Sequence, residues 1–220
     1  MPKIIVLIGA PGAGKGTQAR LLSERHELPQ ISTGEIFRAM RHEHTPLAEE
    51  VCAIMDSGKL IPDDLTIRLV RERTSNADCE GGFILDGFPR TRAQAKMLEN
   101  LAIEQNKDIL SIYIDVPFDV LEKRMAGRRS CPVCREIYNI YLKPPKFDEV
   151  CDFHPDVPLE HRSDDTPERA KARLETYEAQ TRPLLDYYGP SNRLYHVDGT
   201  RDTEAIYADI EKIVYGNRKS

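Results

Sequence analysis

The sequence predicts an α/β fold: a parallel sheet with helices on both faces, interrupted by two insertions. Three observations lead there. Short β-branched runs, "KIIVLIG", "FILDGF", "ILSIYIDV" and "RLYHVDG", read as strands buried on both faces. Longer stretches of helical period, such as "TQARLLSERH" and "TRAQAKMLENLAIEQ", separate them. Each strand also runs out into glycine, aspartate or proline, which gathers polar chemistry at the carboxyl edge, where open α/β sheets bind ligands.

The first strand opens directly into "GAPGAGKGT", Gly9 to Thr17, and a helical pattern follows. In that setting the backbone N–H groups of Gly12, Ala13, Gly14, Lys15, Gly16 and Thr17 can turn inward as an anion nest, with the helix N-terminus adding partial positive charge. Lys15 adds a full charge for the β- and γ-phosphates, so a nucleoside triphosphate is the expected ligand. Gly16 stands where the general phosphate-loop pattern has a magnesium-ligating hydroxyl, which comes one residue later at Thr17.

From about Ser32 to Ile61 the periodicity is helical with no evident strand, which suggests a small helical insertion. The strand "FILDGF" then ends in "LDGFPR", placing Asp86 where it can hold a magnesium hydration shell and Arg90 on the same rim. Arginine suits a phosphate because its planar fork engages two oxygens at once. Further arginines, Arg124, Arg128, Arg129, Arg162 and Arg173, gather around a second break in the pattern from about Arg128 to Asp165, after which helical spacing resumes at "TPERAKARLETYEAQTRPLLDYY".

Composition narrows the partners. The chain has 220 residues, 40% of them apolar, enough for a substantial core. With 31 basic against 36 acidic residues and a formal net charge of −5, it lacks the basic footprint of a nucleic-acid surface, so any polyanion site must be local. The apolar run from Ile4 to Ala10 is far shorter than a membrane span, and a cytoplasmic protein is expected. Five cysteines, an odd number with three clustered, argue against a disulfide framework.

Transfer between two phosphorylated nucleotides accounts for an absence. The attacking phosphate oxygen is already ionised at neutral pH, so no general base is needed, and the six histidines form no evident catalytic cluster. A GTPase would need an Asn-Lys-x-Asp guanine-reading motif, which the sequence does not contain.

With these motifs in order, the sequence resembles adenylate kinase in its long-lid form. "GAPGAGKGTQ" is similar to the family's phosphate loop, including the displaced threonine. "QISTGEIFR" and "DSGKLIPD" resemble the two ends of its monophosphate-binding insertion, "GFILDGFPRTRAQA" its signature, and "RMAGRRSC" and "HRSDDTPERAKARLETY" the sides of its lid. The resemblance runs from about Ile4 to Gly199. It implies a P-loop kinase fold with a five-stranded parallel sheet, a core of residues 1–31, 62–127 and 166–220, an AMP-binding insertion of 32–61 and a lid of 128–165.

The activity so implied is reversible phosphoryl transfer from MgATP to AMP, giving two ADP, by a monomer. Residue by residue, Lys15 and the backbone from Gly12 to Thr17 would hold the ATP phosphates, with Arg124, Arg128, Ile137, Tyr138 and Arg201 on the ATP side. Thr33, Arg38, Lys59, Leu60, Ile61, Gly87, Phe88, Pro89, Arg90 and Gln94 would bind AMP. Arg162 and Arg173 would neutralise the transferred group, and Lys15, Asp86, Arg90 and Arg128 complete the catalytic set. UMP/CMP kinases share the loop and the "DGFPR" rim but have short lids; a P-loop ATPase without an acceptor is the alternative from another class.

Cys131-x2-Cys134 followed by Cys151-x2-His154 has the spacing of two zinc knuckles, and thiolate and imidazole ligands suit a closed tetrahedral site. Asp152 and Asp156 stand as alternative fourth ligands. The zinc would be structural, holding together an insertion too small for its own core. A nucleic-acid-binding ribbon is opposed by Asp148, Glu149, Asp152 and Asp156 around the knuckles. Asn139, Leu142 and Lys143 depart from the family's usual lid pattern. Both insertions are expected to close over bound nucleotides, which would keep water from the reacting phosphoryl group.

Overall fold

A computed structural model describes residues 2–216. Five parallel strands form the central sheet in the order β2-β3-β1-β4-β7: β1 is Lys3–Ile8, β2 Gln30–Ser32, β3 Gly82–Asp86, β4 Asp108–Asp115 and β7 Leu194–Asp198. β2, only three residues long, has no sequence pattern of its own; it exists because Ile31 pairs opposite Leu85 at the sheet edge.

β1 is apolar at every interior position because both its faces are covered. Ile5 and Leu7 pack with Ile84, Ile112 and Ile114 under α1 (Lys15–His26), α6 (Phe118–Ala126) and α9 (Thr203–Tyr215). Ile4, Val6 and Ile8 face the other way, with Phe83 and Leu85, toward α4 (Asp63–Thr74), α5 (Arg92–Glu104) and α8 (Leu184–Tyr188). Each such burial contributes about 1.5–3 kcal/mol, so the strand that carries the phosphate loop is also among the most firmly anchored.

The first insertion is helical, as expected. Ser32 caps α2 (Thr33–Ala39) through Glu35 N, and Thr45 caps α3 (Pro46–Asp56) through Ala48 N, with Pro46 in the first turn, where its missing N–H costs nothing. The second insertion holds two short antiparallel strands, β5 (Arg128–Ser130) and β6 (Ile137–Asn139), isolated bridges such as Val150 with Pro158, and a 3-10 turn over Ser163–Asp165. The helical run after it is not one helix. α7 (Pro167–Thr176) passes into a π-helical turn over Tyr177–Thr181 before α8, because Pro183 has no N–H with which to continue the ladder.

Candidate active site

Parallel pairing of β1 with β3 sets Leu7 beside Asp86, so the phosphate loop and the acidic strand end emerge together at the carboxyl edge. A Cβ on Gly16 would lie 3.3 Å from Asp86 Oδ2, a tight contact that puts the loop directly against the carboxylate. Lys15 folds over the loop and donates to Gly9 O at 2.7 Å and Ala10 O at 2.9 Å. Burial pushes its ammonium down to about 8, with Asp86 opposing the shift.

Two hollows adjoin this edge. One encloses about 580 Å³ and is lined by Thr33, Arg38, Lys59, Leu60, Ile61, Gly87, Arg90 and Gln94, with Asp164 and Arg173 closing it. The second, about 540 Å³, is lined by Gly9, Pro11, Lys15, Pro89 and Tyr177 and shares Gly58, Leu60, Gly87, Arg90 and Arg173 with the first. Shared walls make them two halves of one cleft.

Their rim is tightly built. Gly87, at φ +83, turns its carbonyl to accept from Thr33 Oγ1 at 2.9 Å and Arg90 Nε at 2.7 Å; a Cβ there would meet Arg90 Nη2 at 2.8 Å. Gln94 is buried, accepts from Arg90 N at 2.7 Å and donates to Asp63 Oδ1 at 2.7 Å, which leaves its amide one N–H and one lone pair for a ligand. Phe88 is fully buried in the core and supports the rim from below.

Cations dominate the cleft. Burial brings Arg90 down to about 10 and Arg162 to about 9 and also lowers Arg38, and among the described residues none of the three is ion-paired with a carboxylate. Arg128 and Arg173 are held differently. Arg128 grips Asp165 through two bonds of 2.6 and 2.5 Å, and Arg173 Nη1 lies 2.9 Å from Asp165 and 3.1 Å from Asp164. Burial works against the Arg128 charge, but Asp165, with Asp164 and Asp86, outweighs it and the net shift is upward. Burial would likewise raise the Asp164 carboxyl, yet Arg173, Arg38, Arg128 and Arg162 hold it below its ordinary value. Asp164 and Asp165 were not picked out from the sequence; the signal was the carboxylate pair directly after Arg162 in "RSDD".

Tyr138 and Arg201, expected on the ATP side, both engage other parts of the protein. The Tyr138 ring is 2% exposed inside the lid, its hydroxyl 3.6 Å from Cys151 Sγ and accepting from Asp152 N, so it serves the lid's own small core rather than lying free over a base. Arg201 is drawn outward to the Asp209 carboxylate of α9 and lines neither hollow. Ile137 is half-buried at the start of β6, and Arg124 donates to Gly199 O at 2.8 Å. Asn139 ties the lid's base together, donating to Arg124 O and accepting from Tyr141 N and Leu142 N.

In the lid, Cys131, Cys134, Cys151 and His154 converge, with their ligand atoms all within 4.8 Å of one another. Tetrahedral zinc with Zn–S of about 2.3 Å and Zn–N of about 2.0 Å requires ligand atoms separated by about 3.5–3.8 Å. Three of the six separations come near this, 3.6 Å between Cys134 and Cys151, 3.8 Å from Cys151 to His154 Nδ1 and 3.9 Å from Cys131 to His154 Nδ1, and all lie within 4.8 Å, so the donor set is compatible with such an ion. Asp152 Oδ1 is engaged with Lys146 N, which leaves His154 the fourth group in the cluster.

A parallel sheet with a phosphate loop, and a cation-lined double cleft at its edge, define a P-loop phosphotransferase with room for two phosphorylated ligands. Comparison with known proteins narrows the class. The family model described as "Adenylate kinase" matches residues 7–193. Curated adenylate kinases of Clostridium novyi and Bacillus subtilis are each 45% identical, covering 97% and 98% of this chain and 99% of the relative. That of Thermodesulfovibrio yellowstonii is 47% identical over 94% of this chain and 96% of its own length. The chain belongs to the adenylate kinase family and is an ATP:AMP phosphotransferase; these matches favour neither a UMP/CMP kinase nor an ATPase lacking an acceptor.

Proposed function

We propose that the two hollows are the two nucleotide sites, with ATP phosphates on the Lys15 loop and AMP between Thr33, Arg38, Lys59 to Ile61, Gly87 to Arg90 and Gln94. The observation that carries this is the crowd of half-buried cations, Lys15, Arg38, Arg90, Arg128, Arg162 and Arg173, which outnumber the carboxylates Glu35, Asp86, Asp164 and Asp165 that act on them. Buried charge without a partner is costly, and two phosphate chains meeting at the shared wall relieve that cost.

Lys15 and the loop N–H groups orient the triphosphate, Arg38 and Arg90 hold the acceptor phosphate in line, and Arg128, Arg162 and Arg173 neutralise the group in flight. Asp164 and Asp165 keep Arg128 and Arg173 aimed. Magnesium, bound with ATP, would spread the triphosphate charge, and Asp86 is the carboxylate placed to hold its water shell. Zinc on Cys131, Cys134, Cys151 and His154 would act as a cross-link that keeps the lid folded. Residues 32–61 and 128–165 are the parts that close on the core of 1–31, 62–127 and 166–220. The protein acts as a monomer in the cytoplasm on ATP, AMP and ADP, without nucleic acid or membrane.

Turnover of MgATP with AMP, UMP, CMP and GMP in parallel, followed in both directions, tests the assignment. Strong preference for AMP is expected. Comparable use of UMP or CMP would overturn the acceptor assignment, and ADP production without acceptor would overturn the two-site reading.

A further inference from the structure

Glu136 lies in the lid, between the second cysteine and β6, yet its carboxylate does not serve the metal cluster. Its side chain is only 8% exposed, and Oε2 lies 2.7 Å from Arg20 Nη2, on the helix whose first residue is Lys15. Its other oxygen accepts from Lys143 Nζ of the lid at 2.6 Å. Arg20 in turn holds Glu24 of its own helix at 2.8 Å.

We propose that Glu136 is a positioning residue for the lid over bound ATP: engaging Arg20, it docks the lid on the phosphate-loop helix, and the cysteine turn determines where it stands. This rests on the reading of 128–165 as a closing lid. Cys131 N donates to Glu136 O and Arg135 N to Cys131 O, both at 3.0 Å, so the turn that presents Cys131 and Cys134 also fixes the backbone of Glu136. Each ion keeps a partner within its own part, Lys143 for Glu136 and Glu24 for Arg20, so undocking strands neither charge. Arg20 Nε is buried without a partner in this arrangement, a cost that opposes the contact.

The adjacent residue supplies a contrast. Arg135, at φ 62, reaches Glu35 of α2 at 2.9 Å, but its side chain is 72% exposed, so water and salt screen the pair.

The test uses the metal-loaded enzyme with Arg20→Gln, Glu136→Gln, the double variant and Arg135→Gly. Each of the first two raises KM for ATP about fivefold with kcat within about twofold, and the double variant is no worse than either, as one shared contact requires. Metal content stays unchanged. Under saturating diadenosine pentaphosphate, amides of 128–165 exchange faster in both single variants than in the parent. Arg135→Gly alters KM by less than about twofold, in keeping with an exposed pair.

Additive effects in the double variant, or an unchanged KM for Arg20→Gln, would overturn the proposal. So would loss of metal as the only consequence of Glu136→Gln. Should Glu136→Gln fail to fold, Arg20→Gln, on the core helix, decides alone. If diadenosine pentaphosphate leaves exchange in the parent's 128–165 unchanged, the closing lid itself is wrong. If the parent responds and Arg20→Gln responds identically, only the docking contact is wrong.

Discussion

The glycine-rich loop and the cysteine lid both bring potential ligand atoms together, backbone N–H groups in one and side chains in the other, but they are supported in different ways. The loop hangs from β1, whose interior residues are buried on both faces of a five-stranded sheet, so backbone N–H groups suffice to form the cradle. The lid has almost no core: Cys131, Tyr138 and Cys151 are buried, with Cys134, Val157 and Leu159 packed against them. There the side-chain ligands themselves must hold the chain. A large core lets a site be made of backbone, whereas a small one makes the site part of the fold.

The strongest way to break this comparison is in the loop. Lys15→Met should lower kcat by about 10²–10³-fold while the melting temperature stays put or rises, since a buried cation is removed. Steady-state kinetics with a melting curve check this; a collapse of stability would mean that the loop, too, is held by its functional side chain.

Between the two regions, Asp165→Asn leaves Arg128 and Arg173 buried without their shared carboxylate, and about 3–5 kcal/mol of stability should be lost. Denaturant titration measures it, and a loss confined to activity would show that the two arginines find other partners.

Removing metal from the lid should lower its stability without unfolding the sheet. With a chelator, hydrogen exchange is expected to accelerate in 128–165 and not in β1 or β3; an unchanged lid would show that its small core is sufficient.

The most gradual effect is the pH response of the loop. Lys15 sits at about 8 in the fold against 10.5 ordinarily, so between those values the folded form gives up a proton that the unfolded form keeps. Stability of the free protein therefore rises with pH across that window, while ATP affinity falls, by up to about tenfold per unit, as the ammonium is lost. Binding measured from pH 7 to 10 sees the decline; in Lys15→Met it should be absent.

Much of this was legible in the chain. The strands β1, β3, β4 and β7 announced themselves through apolar runs, the helices through period, and the loop, the "LDGFPR" rim and the cysteine spacing through local chemistry. β2 was not legible from pattern, since three residues carry too little periodicity, and the break at Pro183 hid inside a stretch that reads as one helix.

What the sequence determined by itself was the set of local devices: glycines where N–H groups can converge, arginines gathered along one edge, and three cysteines and a histidine at knuckle spacing. Tertiary structure alone decided who faces whom. The β1–β3 register brought Asp86 against Gly16, packing turned Tyr138 inward and left Arg201 to Asp209, and the lid's placement joined Glu136 to Arg20. The physical reason is that short-range order follows from dihedral preference and periodicity, both written in neighbouring residues. Pairing of buried charges depends on the free energy of excluding water from groups far apart in the chain, which only the assembled fold defines.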